Sequence, residues 1–169
     1  DGTLLTISGN GDMADYSATD PAPWGTEVTE VIIEEGVTCV GDYAFSNNRK
    51  LASVTVPKTV IRMGNFAFNS CYNGKDVYIT DMTAWCHIDF ENKSANPLYF
   101  SEYGLYNNLY LNGVLVTEPE IPTDITTLGG AFRGCDSIVK VTIPNGVTAI
   151  ENSEFSGCEA LKQVTIPNT

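Results

Sequence analysis

The sequence has a single histidine, 9 Lys and Arg side chains together, two tryptophans and three methionines among 169 residues. Each scarcity removes a class of function. His87 stands alone, and without a CxxC or HExxH pattern it leaves no closed ligand set for zinc. Nine basic against 21 acidic side chains give a net charge of −12, which excludes a binder of phosphate backbones and therefore nucleic acid as a partner. No run approaches the roughly 18 apolar residues of a membrane span, and the residues from Asp1 onward lack the basic and apolar stretches of a signal peptide. Gly9-Asn10-Gly11 and Gly129-Gly130 do not open a helix after a buried strand, so no phosphate cradle and no cofactor is expected. The first 48 residues hold nine acids and no Lys or Arg, the composition of a solubilising end, and the spacing of a calcium loop is absent.

What the sequence has is an apolar content of 43% with 10% aromatics, enough for one domain with its own core. It also has a period. Val31, Val54 and Val77 are 23 apart, as are Phe45 and Phe68, Phe132 and Phe155, and Pro144 and Pro167. Within each unit a V-x-I run is followed by Pro, a second apolar pair such as Val37 and Val40, a Phe five residues on, and often Gly-Cys. Strand alternation sends Val31 with Ile33, Val54 with Val56 and Val141 with Ile143 inward. Each unit thus presents an apolar side that only a neighbour can cover. A repeat of about 20 to 29 residues with one such strand predicts a solenoid of the leucine-rich type.

The unit L-x-x-V-T-V-P-x-x-V-x-x-x-G-x-x-A-F-x-x-C, from Leu51 to Cys71, resembles the BspA-like leucine-rich repeats of bacterial cell-surface proteins. GTLLTISGNGDMADY with Pro23-Trp24 resembles the N-terminal cap of such arrays, and YITDMTAWCHIDF, SANPLY and LYLNG resemble a unit inserted among them. The resemblance implies an α/β leucine-rich-repeat solenoid with a parallel concave sheet and short helical or irregular convex segments. It also implies an exported, surface-displayed protein that binds host or neighbouring-cell proteins and has no catalytic role. The expected layout is one domain: a β-cap over 1–27, two regular repeats over 28–74, an enlarged repeat with a hairpin over 75–117, two repeats over 118–160 and a truncated repeat over 161–169.

Three places break the pattern. Val77 to Pro119 spans 42 residues, 19 more than the period, and Leu109 to Val116 around Asn112-Gly113 reads as a hairpin with a type I′ turn. A short helical piece is expected near Ser94 to Phe100. Leu128 to Phe132 is one residue short, and Gly129-Gly130 is expected to absorb the difference. Pro119 stands where other units have Val, which removes a ladder donor and predicts a locally weakened sheet. At the ends, Thr3 to Ile7 with a Gly9-Asn10-Gly11 turn reads as a hairpin-like cap under Trp24, whereas the last strand lacks a cover, as expected of a piece of a longer array.

Candidate chemistry is sparse. Cys86 beside His87 reads as a core residue in one column with Val40 and Met63, because neighbours on a strand point to opposite faces. Glu118 and Glu120 alternate on one face, with no apolar pocket to raise either pKa. Cys71, Cys135 and Cys158 share one repeat column and read as buried free thiols; Cys135 and Cys158 are near enough for a disulfide, but their side chains should run parallel. A protein partner, such as a host extracellular-matrix or other cell-surface protein, is expected on the outward strand positions or on the aromatic inserted unit. The candidates are Ile32, Thr55, Tyr78, Glu120, Thr142 and Thr165 on the strands, with Tyr103 and Tyr106 in the insertion. Tyr99, Phe100 and Tyr110 complete that aromatic group, as the hairpin's own core or as a stacking platform. The alternative is a spacer or stalk without a ligand.

Overall fold

The computed structural model describes residues 3–99 and 106–167. In each unit the β-branched run forms a strand because such side chains suit a pleated, half-buried surface. These strands stack in parallel: β1 (Thr3–Ile7), β3 (Val28–Ile33), β5 (Ser53–Val56), β7 (Asp76–Ile79) and β9 (Asn108–Leu111), closed by the antiparallel β10 (Val114–Leu115). A second parallel ladder runs along the next side of the coil: β2 (Gly11–Asp12), β4 (Val37–Val40), β6 (Arg62–Met63) and β8 (Asp89–Phe90). Two shorter pairs continue these sides, β11 (Thr127–Leu128) with β13 (Ala149–Ile150) and β12 (Lys140–Thr142) with β14 (Gln163–Thr165). The result is the expected leucine-rich-repeat solenoid of about seven turns. Its second side is more regular than the helical or irregular segments foreseen, being built of these short parallel strands.

The core is a set of columns. Val31, Val54, Val77, Leu109 and Val141 are fully buried, as are Val40, Met63 and Leu128 on the second side. At the turn beyond, Phe45 stacks on Phe68 with centroids 5.2 Å apart, and Phe132 on Phe155 at 6.4 Å. The phenylalanines therefore form two stacks rather than one continuous ladder. Between them stands Ala95, since Phe68 N–H donates to Ser94 O as Phe45 N–H donates to Ala67 O. Each stack starts at a tryptophan. Trp24 Nε1 donates to Ala44 O at 2.8 Å, and Trp85 Nε1 to Ala131 O at 2.9 Å, the carbonyls immediately before Phe45 and Phe132.

Residues two before and two after each Phe lie in the left-handed region: Tyr43 and Asn47, Phe66 and Ser70, Gly130 and Gly134, Ser153 and Gly157. The Gly of the Gly-Cys motif is thus a backbone requirement. At Gly157 a Cβ would also sit 3.2 Å from Gly134 Cα. The cysteines after these turns bond across rungs, Cys71 Sγ to Phe45 O at 3.1 Å and Cys158 Sγ to Phe132 O at 3.0 Å. In this column the first rung has Asn48, whose Oδ1 accepts from Val28 N–H at 3.0 Å. The same backward reach recurs from Asn107 to Lys75 N–H and from Asp136 to Asn107 N–H. Each carboxamide or carboxylate satisfies a buried donor where a strand begins.

Several expectations need correction. Residues 3 to 12 are not a hairpin: β1 and β2 belong to different sheets, each parallel to the following rung, so the N-terminal segment is itself a turn of the coil. The helix lies earlier than foreseen. It is α1 (Met82–Cys86), capped by Asp81 accepting from Ala84 N–H at 2.9 Å, while residues 93–98 form turns. The insertion is not one swollen rung. Val77 pairs with Leu109, 32 residues on, so β9 occupies a rung position of its own and the hairpin follows it. The hairpin has the expected turn, with φ of 51° at Asn112 and 79° at Gly113. At Pro119 the sheet divides, as the missing donor demands: no strand forms over 117–121, and β12 and β14 make a separate pair.

The short unit is held from both sides. Asn96 Nδ2 donates to Gly130 O at 2.6 Å, and the buried Glu154 carboxylate accepts from Gly130 N–H and, at 3.1 Å, from Phe132 N–H. Glu154 replaces the alanine found before Phe45, Phe68 and Phe132, filling the space the missing residue leaves. Glu154→Ala orphans two buried donors and should cost about 2 to 4 kcal/mol in urea denaturation, near twice the penalty of one unsatisfied group. Phe68→Ala should cost about 3 to 5 kcal/mol. Its hydrogen-exchange protection should fall first in the rungs around β5 and β7, because solenoid stability is a sum of neighbour terms; a uniform loss through β14 would contradict that additivity.

Candidate functional site

The outward strand positions fall into rows. Ile32 pairs with Thr55, Thr55 with Tyr78, and Tyr78 with Tyr110; the row beside it is Glu30, Ser53, Asp76 and Asn108. Tyr78 and Tyr110 stack with centroids 4.9 Å apart and an interplanar angle of 22°. Asn108 Nδ2 donates to Asp76 Oδ1 at 2.9 Å, tying the second row beside the rings. Partial burial, then Asp76, Tyr110 and Glu30, push the Tyr78 hydroxyl above its ordinary pKa, so it stays a neutral donor at physiological pH. The six strands of this sheet contain no Lys or Arg.

The remaining candidates separate. Thr142 and Thr165 pair on β12 and β14, exposed. Glu120 lies in the segment without strand, across the division of the sheet, and Tyr106 is exposed just before β9. Tyr103 and Phe100 lie outside the described residues. The aromatic group of the insertion does not gather into one core: Tyr110 joins Tyr78, and Tyr99 lies under Lys93 Nζ at 5.4 Å. Tyr110 is the residue sequence reasoning misplaced. The signal was present, since NLYL of β9 repeats the pattern DVYI of β7.

Where the sheet divides, a cleft of about 770 Å³ opens between the start of α1, the β9–β10 hairpin and the segment Thr117–Glu120. Met82, Leu111, Val114, Leu115 and Pro119 supply its apolar lining, and Asp81, Glu118 and Glu120 its carboxylates.

Cys86 and His87 do not form a nucleophile pair. Cys86 closes α1 rather than sitting in a strand, and the column of Val40 and Met63 is continued by Phe90. Burial pushes the Cys86 thiol up to about 12, whereas His87 turns Nδ1 to Thr83 O at 2.8 Å and Nε2 toward Asp124 at 3.6 Å. All five cysteines are buried and free, Cys135 and Cys158 included. Lys75 is buried too, its Nζ donating to Cys71 O at 2.8 Å and Asn73 O at 2.9 Å, and burial lowers it to about 8. No described helix is long and apolar enough to cross a membrane.

The family model of the BspA type leucine rich repeat region matches in six copies, over residues 24–102 and 104–169. The chain belongs to this family. BspA-type repeats act as protein-interaction or structural modules and are generally non-enzymatic. Among solved structures, a leucine-rich repeat protein of Eubacterium ventriosum is 22% identical, over 96% of this chain and 67% of that one, with a TM-score of 0.36. The leucine-rich repeat protein of T. pallidum is 19% identical over 97% and 69%, with a TM-score of 0.48. A leucine-rich cell surface protein of Faecalibacterium prausnitzii is 24% identical over 91% and 37%, with a TM-score of 0.44. No curated protein matches the chain.

The thiols of this BspA-type array set its alkaline limit. Burial pushes Cys71 and Cys135 up to about 11 and Cys158, like Cys86, to about 12, against 9.0 for a free thiol. Above pH 9 the unfolded chain therefore releases protons that the fold retains, and stability falls as pH rises. Lys75 acts oppositely between about 8 and 10.5, but is one group against four. The urea midpoint under reducing conditions should fall from pH 9 to pH 10.5. Cys71→Ser with Cys158→Ser keeps both hydroxyl donors and should flatten that fall by about half; an unchanged slope would show the thiols titrate normally.

Proposed function

We propose that this chain is a non-catalytic interaction module of a bacterial cell-surface or secreted protein. It holds a protein partner on the outward face of its strands and on the hairpin turn beside them. The reading rests on the Tyr78–Tyr110 stack, a rigid amphipathic pair placed among small and acidic neighbours. Tyrosines so placed supply contact area at low entropic cost and dominate many interfaces. Ile32 and Thr55 extend the face from Tyr78, Glu120, Thr142 and Thr165 continue it past the division, and Tyr103 and Tyr106 flank the hairpin. The partner class is protein, a host extracellular-matrix or other cell-surface protein, in keeping with the surface display of BspA-like proteins. A spacer role is the second reading, favoured for the last rungs by the plain pair Thr142 and Thr165.

Solid-phase binding to matrix and bacterial-surface proteins tests the assignment. Tyr78→Ala with Tyr110→Ala should weaken binding about tenfold or more, while Thr165→Ala should leave it unchanged. Full binding by the double variant, with an unaltered thermal melt, would move the partner off this face; no binding by the wild type to any protein tested would favour the spacer.

A further inference from the structure

We propose that the cleft at the division of the sheet takes an extended, cationic segment of a partner protein as an added strand beside β10. The proposal rests on the reading of the solenoid as an interaction module and names the chemistry of its partner. The first support is a free strand edge. β10 ends the six-stranded sheet, and no described strand pairs with its other side. Val114 faces Leu111 across the two-residue turn, and Val116 N–H returns to Leu109 O at 2.8 Å. Bonding direction alternates along an antiparallel pair, so the N–H and C=O of Leu115, between these two, point away from β9. Such an edge is a template for strand addition.

The second support is why the protein does not close this edge itself. The next rung brings Glu118-Pro119-Glu120 to the far wall of the cleft, and Pro119 has no N–H to offer. The rung turns instead toward its successor, Thr117 O accepting from Val139 N–H at 2.8 Å and Glu118 pairing with Lys140 at 3.2 Å. The gap stays open, and Val114 and Leu115 are 70% and 41% exposed at its lip.

The third support is charge. Asp81, Glu118 and Glu120 line the cleft and no Lys, Arg or His does; Glu120 has no ion pair among the described residues. A strand seated there gains backbone bonds from Leu115, apolar contact with Val114, Leu115 and Met82, and pairing of its own cations with Glu118 and Glu120. An alternation of apolar and basic residues satisfies all three at once, because strand side chains have a period of two. The volume of about 770 Å³ lies within the range of about 300 to 1,000 Å³ usual for ligand clefts.

Blocked hexapeptides titrated into the protein and followed by amide NMR shifts test this: KVKVKV, EVEVEV, and KVKVKV methylated on its valine nitrogens. KVKVKV should shift the amides of Val114 to Val116 and slow exchange at Leu115, with the two controls weaker by about tenfold or more. Glu118→Gln with Glu120→Gln should weaken KVKVKV about as much, and the loss should shrink as salt rises. Equal binding of the methylated peptide would reduce the effect to charge attraction and overturn strand addition; so would shifts centred on the acidic N-terminal rungs, or no shift at all. In any of these cases, Tyr78-dependent capture of a surface protein would leave the interaction reading standing, and its absence would remove both.

Discussion

A turn of about two dozen residues makes one inward face and cannot cover it. Everything else in this molecule answers to that constraint. Val31, Val54 and Val77 are buried only because each strand has a parallel neighbour, and Val164 and Ile166 on β14, with β12 on one side alone, are exposed. The aromatic stacks repeat the logic at the turn, where Phe45 needs Phe68 on one side and Trp24 on the other. Backbone geometry serves the same end: left-handed residues on either side of each Phe swing the ring inward while the chain reverses.

Trp24 and Trp85 show how the array begins and begins again. Both donate to the carbonyl before the first Phe of a stack, so α1 and the enlarged rung do for the second stack what the N-terminal segment does for the first. The insertion is therefore a boundary between two runs of regular rungs, and it is there that the sheet divides, the short unit is bridged by Asn96 and Glu154, and the cleft opens. The aromatic pair on the outward face also stands at this boundary, Tyr110 being carried by the strand that the insertion adds.

Much of the fold was legible because the 23-residue period imposes one environment on each column. A Val in the V-x-I run, a Phe five after the second pair, and a Gly before Cys have the same neighbours in each rung, so pattern alone assigns them. The Asn112-Gly113 turn was equally local, since two positive φ angles in succession call for those residues. The insertion lacked this help. Its helix was looked for ten residues too late, and Cys86 was placed in the column that Phe90 occupies, because an aperiodic segment has no register until its strands pair.

The candidate site divides in the same way. Sequence alone determined which strand residues face outward, that Tyr78 is the bulky one among Thr and Ser, and that Pro119 cannot sustain the ladder; each follows from alternation or from the missing donor. Only the tertiary structure decided that Tyr110 stacks on Tyr78, that β9 is a full rung strand, and that β10 faces an open cleft rather than the next rung. Those outcomes depend on the register between segments 32 residues apart, which is chosen by how the insertion packs as a whole and by no single residue within it.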